Sequence, residues 1–513
     1  MYRYKHINDP LYGGIWLSKL EVELINTKEF QRLRRLKQLS VASYTFPGGD
    51  HSRFSHSLGV LFIMGKMCTH LESKCGKRFT KEDTKIMRAA ALLHDIGHYP
   101  LSHLGEKAYS YYIDNIDNQT KQKKINIVEG LPEDKENKMH SINSVANNKS
   151  SSAHHEKLGQ IIIKYSNEIN TILKKEGLDP DLIGEIIVGE ASKVLYCNLM
   201  HSACDADRID YLVRDSYQAG VKFGHVDIDY IISLMRIEDY EVKIPDAPQS
   251  QEVIAFDAKG QHVLEHFLMC RYFHYLQVVN NKTVAKFDSI TGYLFFKMLE
   301  ARKFTILGED IRLLFESRDE TVIKEKFLEI DWDRFTDEFF WSNLYDFCKD
   351  EDGELETLYN MLIGRIAPST IYTKKELITV ESTIKIAYSE EWYKAIDLMN
   401  NKIETFAEKV GIDKNQIVFN KLKTYIHNIT ESDMDSDPKE SAHVLREWIK
   451  IVDRNGIRLL VNDENSIIHQ ASKYASYSII VYIVVKSTEV SKVELARSEF
   501  INYVDATIGE KYD

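Results

Sequence analysis

Ala90-Ala-Leu-Leu-His-Asp-Ile-Gly-His98 sets a histidine and an aspartate side by side at the end of an apolar run. The spacing predicts a helix from about Lys81 to Ile96, with Ile86, Ala90 and Leu93 turned inward and Gly97 as its C-cap. Two polar groups at a position that would otherwise bury alanine and leucine are costly unless something pairs with them. A divalent cation is the obvious partner, but a His-Asp dipeptide alone is weak evidence. The other ligands of such a site must come from elsewhere in the chain.

Upstream, His51-Ser-Arg-Phe-Ser-His56 opens a second helix, expected over about 52–67, from which His56 can project. Downstream, Asp205-Ala-Asp-Arg-Ile-Asp-Tyr-Leu-Val-Arg-Asp215 reads as an acidic helix with apolar residues between its charges. His56, His94, Asp95 and Asp207 together offer two imidazoles and two carboxylates from three helices. That set suits Zn²⁺, Mn²⁺ or Fe, and the lack of thiolates disfavours a purely structural zinc. More histidines crowd the same region. His98 follows His94 by four residues and is expected on the same helical face. His103 lies beyond Pro100, and His155-Glu156 begins a later helix. Glu106 and Glu156 can orient these imidazoles.

The rest of the chain bounds the answer. At 513 residues it exceeds one ordinary domain, and 43% hydrophobic content supports a large core. A net charge of −12 argues against a protein that coats nucleic acid, though not against a local basic pocket. Cys68, Cys75, Cys197, Cys204, Cys270 and Cys348 form no C-x-x-C pair and read as reduced thiols. The opening Met-Tyr-Arg-Tyr-Lys-His has no apolar signal core, and the apolar run near 477–485 is far short of the ~20 residues that span a bilayer. A cytoplasmic protein without a membrane segment is expected.

Phe30-Gln-Arg-Leu-Arg-Arg-Leu-Lys-Gln-Leu39 repeats apolar residues at helical spacing and is followed by a turn at Phe46-Pro-Gly-Gly-Asp50. Residues 114–152 turn polar and aperiodic, which suggests an insertion. Residues 251–257 predict a strand leading into a helix through Asn281, and 478–486 is the clearest strand of the C-terminal part. The expected fold is mainly α: a helical core over 1–290 with a few short strands, then a mostly helical region over 291–513 with a small β element.

These motifs, in this order, resemble the HD-domain metal phosphohydrolases, and within them the deoxynucleoside-triphosphate triphosphohydrolases. The residues that carry the resemblance are Asn8-Asp-Pro-Leu-Tyr-Gly13, Phe30-Gln-Arg-Leu-Arg34, Lys37-Gln-Leu39, Phe46-Pro-Gly-Gly-Asp-His-Ser-Arg-Phe-Ser-His-Ser-Leu-Gly59, Leu93-His-Asp-Ile-Gly-His-Tyr-Pro-Leu-Ser-His103, His155-Glu156 and the Asp205–Asp215 stretch. By resemblance, His56, His94, Asp95 and Asp207 hold one divalent transition metal, and a Mg²⁺ arrives with the nucleotide. Arg53, His98, Arg208 and Arg271 fall where the triphosphate is contacted. Gln38 and Leu39 face the deoxyribose, while Tyr211 and Asp215 hold its 3′-hydroxyl. The implied reaction is hydrolysis at the α-phosphorus, releasing deoxynucleoside and inorganic triphosphate. His103 is the candidate general acid, with His155, Glu106 and Glu156 beside it. The resemblance also implies a homo-oligomer, a tetramer among the options, and a nucleotide activator.

Three positions depart from the family pattern. Val279 replaces a base-contacting tyrosine, and Asn281 replaces a histidine. Gln31 and Arg34 of the activator site are present, but Asn26 stands where relatives place a guanine-reading aspartate. These departures keep two alternatives in view: an HD phosphohydrolase acting on another nucleotide or a DNA end, and a nucleotide-gated assembly module.

Overall fold

The computed structural model describes residues 4–113, 154–241, 250–304, 314–315, 317–350, 353–379, 402–425, 442–485 and 488–508. The polar stretch at 114–152 lies outside them. Helix α1 (Arg53–Cys75) begins where the Ser52 hydroxyl accepts from the Ser55 N–H, and most of its 23 residues are at least partly buried. Helix α2 (Lys81–Leu93) starts with a capping box in which Thr80 and Asp83 bond reciprocally. It packs against α1 through Ala89–Leu93, all of them buried.

The helix predicted to reach Ile96 stops at Leu93, with His94 as its C-cap, so Gly97 is not the cap. Gly97 serves close approach instead. A Cβ there would strike the His155 carbonyl and the Gly159 N–H of helix α3 (His154–Tyr165). Ile86 is only half-buried, whereas Ala90 and Leu93 are fully inside. Because the chain has left the helix, His98 is not one helical turn from His94; it reaches the same region from the turn that follows.

The helix predicted from Phe30 is similarly short. An α turn at Lys28–Gln31 passes into a 3₁₀ turn at Arg32–Arg35, and Leu36 is extended. The cause is pairing: the Arg53 N–H donates to the Leu36 carbonyl and the Gln38 N–H to that of His51 (2.8 and 2.9 Å). Phe30, Leu33 and Leu36 are nonetheless fully buried, as their spacing indicated.

Helices α4 (Pro180–Ile187) and α5 (Val194–His201) lead to α6 (Ala206–Ala219). Asp205 caps α6 by accepting from the Arg208 N–H (2.7 Å), and Gly220 ends it at φ +70°. Helix α6 lies so close to α1 that a Cβ on Gly59 would collide with the Asp210 carboxylate and the Arg214 guanidinium. Gly59→Ala is therefore expected to destabilise the protein by about 1–3 kcal/mol through overpacking. An unchanged thermal midpoint would show that the two helices have room to separate.

Strands β1 (Lys5–Asp9) and β2 (Gly13–Leu17) form an antiparallel hairpin. The second sheet has the order β3-β4-β7-β8, from β3 (Met235–Glu241), β4 (Ser250–Asp257), β7 (Lys450–Asp453) and β8 (Gly456–Leu459). Its β4–β7 pair is parallel, with Ala255 opposite Lys450, so a late segment completes a sheet begun in the first half. The third sheet is antiparallel. Its central strand β9 (Tyr474–Ile483) runs between β5 (Ser369–Thr379) and β6 (Ile417–Tyr425), where a strand was expected at 478–486.

Helix α7 (Gln261–His274) passes into a π turn at Tyr275–Val279, not straight on to Asn281. Asn281 instead caps α8 (Lys282–Glu300), which runs across position 290. Helix α9 (Asp337–Asp350) and its approach pack against the first half, and one apolar core draws residues from both parts. Helices dominate, with the strands in three small sheets, so the mainly α expectation holds. No helix among the described residues is long and apolar enough to cross a membrane.

Candidate metal centre

Helix α1 presents His56, the end of α2 presents His94, and the first turn of α6 presents Asp207. One ligand atom from each lies within 4.8 Å of the other two. The His56 and His94 Nε2 atoms are 3.3 Å apart, and Asp207 Oδ1 is 2.9 and 3.7 Å from them. Asp95 lies against this group, with Oδ1 3.3 Å from His94 Nε2 and Oδ2 3.7 Å from His56 Nε2. Bonds of about 2.1 Å to a shared cation place neighbouring ligand atoms about 3.0–3.4 Å apart, which the 3.3 Å between the two Nε2 atoms matches and the 3.7 Å contacts exceed by a few tenths of an ångström.

The hydrogen bonds behind the ligands set their tautomers. His56 Nδ1 donates to Asp210 Oδ2 (2.7 Å), and His94 Nδ1 to the Ala91 carbonyl (2.9 Å). Each ring therefore turns a lone pair at Nε2 toward the other, an arrangement that needs a cation or a proton between them. Burial works against charge on His56, but its bonds to Asp207 and Asp210 outweigh burial and raise its pKa to about 10. The same contacts hold Asp207 below the ordinary carboxylate range, against the effect of burial. A divalent ion here displaces a proton, and the donors present suit one.

Arg53, buried one turn before His56, donates to Asp95 Oδ2 (2.8 Å) and through Nε to the Ser102 hydroxyl (2.9 Å). His98 Nε2 lies 3.1 Å from Asp95 Oδ1. The His98 ring stacks on His155 at 4.1 Å and meets the edge of His103 at 4.9 Å. Glu106 organises the other two rings: Oε2 takes His103 Nδ1 and Oε1 takes His155 Nδ1, each at 3.1 Å. Burial opposes charge on both partners, yet the contact raises the His155 pKa and lowers that of Glu106. Glu156, expected to share this task, makes no hydrogen bond or ion pair among the described residues. The side chain of His103 is 60% exposed, so its free Nε2 can exchange protons with water.

The remaining candidates surround this centre unevenly. Gln38 is buried with no partner for its Oε1 among the described residues, and Leu39 is half-buried. Arg208 is tethered to Asp205 and to the Ser202 carbonyl (2.9 Å), which leaves it fewer free donors than a solvated arginine. Arg271 is buried and enters no ion pair among the described residues. Tyr211 packs 5.2 Å from the His274 ring. Asp215 is deeply buried, with His51 Nε2 on one oxygen (2.8 Å) and His274 Nε2 on the other (2.9 Å). At the activator positions, Gln31 accepts from Arg34 (2.9 Å) and donates to the Ile25 carbonyl (2.7 Å). Asn281, odd beside the family pattern, accepts from the Thr283 N–H (2.9 Å) as the cap of α8.

Sequence reasoning missed His51, Ser102, Asp210, Arg214 and His274. For Asp210 and Arg214 a signal existed, since Asp207, Asp210 and Arg214 fall three and four apart on one helix. Arg214 clasps Asp210 (2.8 and 3.0 Å) and reaches Asp9 in the β1–β2 hairpin (2.9 Å).

Comparison with known proteins agrees with this geometry. The chain is 33% identical to the uncharacterized protein YwfO of Bacillus subtilis over 279 residues, 54% of this chain and 50% of that protein. The match thus spans about half of that relative's length. It is 29% identical over 266 residues to the deoxynucleoside triphosphate triphosphohydrolase SAMHD1 of Mus musculus, 47% of this chain and 36% of that one. The crystal structure of a phosphohydrolase from Bacteroides thetaiotaomicron superposes with a TM-score of 0.60 at 22% identity, covering 93% of this chain and 99% of the other. That likeness concerns the fold. The HD domain family matches residues 53–194, from the arginine before His56 to the start of α5, and this chain therefore carries an HD domain.

Proposed function

We infer that this protein hydrolyses deoxynucleoside triphosphates to deoxynucleoside and inorganic triphosphate, with His56, His94, Asp95 and Asp207 holding one divalent transition metal. The observation that carries the inference is the pair of Nε2 lone pairs facing each other beside two carboxylates, with Arg53 and the three-histidine cluster against them. A cation bound there neutralises charge on a phosphoryl oxygen and acidifies water. The protein's own groups do the rest. Arg53 is held by Asp95 and Ser102 and keeps two N–H donors for phosphate oxygens. Arg271, buried and without a carboxylate partner among the described residues, is a second phosphate ligand in this account.

The leaving 5′-oxygen is a poor alkoxide unless protonated. His103 suits that role because Glu106 holds its Nδ1 and leaves Nε2 to carry the proton. His98 and His155 stack beside it and shape the space for the phosphates. Gln38, Leu39, Tyr211 and Asp215 are the deoxyribose residues. A Mg²⁺ entering with the nucleotide, a homo-oligomer and an activating nucleotide near Gln31 and Arg34 complete the proposal. A second account, an HD phosphohydrolase acting on another nucleotide, is favoured by Val279. That residue is 38% exposed at the end of the π turn and offers no aromatic face to a base.

The test is incubation of the purified protein with Mn²⁺ or Mg²⁺ and the four dNTPs, singly and mixed, with products separated by ion exchange. Inorganic triphosphate and deoxynucleoside are expected. Pyrophosphate with a nucleoside monophosphate, or no turnover of any dNTP, contradicts the proposal, and the latter outcome moves the search to other nucleotides.

A further inference from the structure

Two consecutive residues beside the centre, Leu101 and Ser102, adopt left-handed backbone conformations at φ +60° and +59°. Neither is glycine, so the turn persists only because its surroundings hold it. One side is Arg53, whose guanidinium bonds the Ser102 hydroxyl and, on its other arm, Asp95. The other side comes from far along the chain. Asp337, the first residue of α9, is 3% exposed, and its Oδ1 accepts the Leu101 N–H at 2.6 Å. Its Oδ2 accepts the Lys37 N–H at 2.8 Å, immediately before Gln38 and Leu39.

The residues just before Asp337 grip the same region. Arg32, fully buried, donates to the Ile96 and His98 carbonyls (2.6 and 2.7 Å) and to the Phe335 carbonyl (3.1 Å). Phe335 also packs its ring edge-on against Tyr99 at 5.4 Å. The turn from His94 to Ser102 is thus fastened from behind by residues 335–337.

We propose that Asp337 is a positioning residue for the metal centre: its carboxylate clamps the Leu101 and Lys37 amides and so fixes the Ser102–Arg53–Asp95 relay and the Gln38–Leu39 edge. The proposal rests on the hydrolytic role given above for that centre. A carboxylate meets both amides with acceptor oxygens, whereas an amide side chain meets one of them with a donor. Asp337→Asn keeps the shape and breaks half of the clamp.

With an equimolar dNTP mixture and Mn²⁺, Asp337→Asn is expected to lower kcat about 10–100-fold per folded molecule by displacing the reacting groups, with KM within about twofold. Amide hydrogen exchange, read on the same protein without substrate, is expected to quicken at Leu101 and Lys37 and to stay unchanged in α1 and α2. A purely structural role predicts a lowered thermal midpoint with wild-type kcat per folded molecule, and that result overturns the proposal. Should Asp337→Asn not fold, Asp337→Ser takes its place, leaving room for water against both amides. If neither folds, Asp337 is a stability element and the proposal fails. If the wild-type protein hydrolyses no dNTP, the functional account fails separately, and exchange at Leu101 and Lys37 still decides whether the clamp exists.

Discussion

Replacing His94 and Asp95 together by alanine is expected to abolish hydrolysis, a fall of at least ~10³-fold, because the cation's charge neutralisation and water activation are lost. His94 supplies one of the two facing Nε2 atoms and Asp95 one of the two carboxylates. What remains, His56 and Asp207, is a single imidazole–carboxylate pair 2.9 Å apart, which a proton on His56 satisfies without any metal. The variant also frees Arg53 and His98 from Asp95, so both lose an anchor next to the phosphates. Bound metal, measured by elemental analysis after dialysis, is expected to drop to background with turnover. A double variant that keeps metal at wild-type stoichiometry would place the ion elsewhere.

Asp210→Ala carries the second largest effect although Asp210 touches neither metal nor substrate. Its carboxylate is fully buried and serves both His56 Nδ1 and the Arg214 guanidinium. Without it, His56 is free to change tautomer, and a weakening of metal affinity by about 10–100-fold is expected. Among the described residues Arg214 then keeps Asp9 as its carboxylate partner, so the loss is expected to stay below the about 3–5 kcal/mol that a fully unpaired buried charge costs. The pH dependence follows from the sign of the shift. Burial pushes the Asp210 pKa up, but Arg214 and His56 outweigh it and hold it below its ordinary value. A depressed carboxylate contributes stability above its unfolded pKa of about 3.9 and loses it as pH falls through the folded value. The stability gap between wild type and variant is therefore expected to be flat between about pH 5 and 6.5 and to close in stronger acid; it narrows again as pH rises toward about 10, where His56, raised partly by Asp210, gives up its proton. Equal stability of the two proteins at pH 7 would refute the network described here.

How much of this is written locally in the chain can be judged from particular residues. His56, His94 and Asp207 were legible because each sits in a helix, or at the end of one, whose phase the apolar residues report, and Asp205 and Gly220 mark the ends of α6 by their chemistry. The helical character of the whole was legible for the same reason. Helix ends near the centre were not. Leu36 and Gln38 leave the helical pattern to pair with His51 and Arg53, and nothing within ten residues of Leu36 announces that partner. Gly97 looks like a cap and is in fact a contact point for α3, which begins more than fifty residues later. The roles of Asp337, His274 and Asp9 are similarly non-local: Asp337 acts on groups 236 and 300 positions away, His274 on one 59 away and Asp9 on one 205 away. Side-chain contacts across such separations leave no periodicity behind.

The central expectation is that the facing imidazoles and their carboxylates form a single divalent metal site. Anomalous diffraction from crystals grown with Mn²⁺ tests it most directly. One peak per chain is predicted among His56 Nε2, His94 Nε2, Asp95 and Asp207. A peak among His98, His103 and His155 instead, a second histidine group among the described residues close enough to hold an ion, or no peak at all, would contradict it.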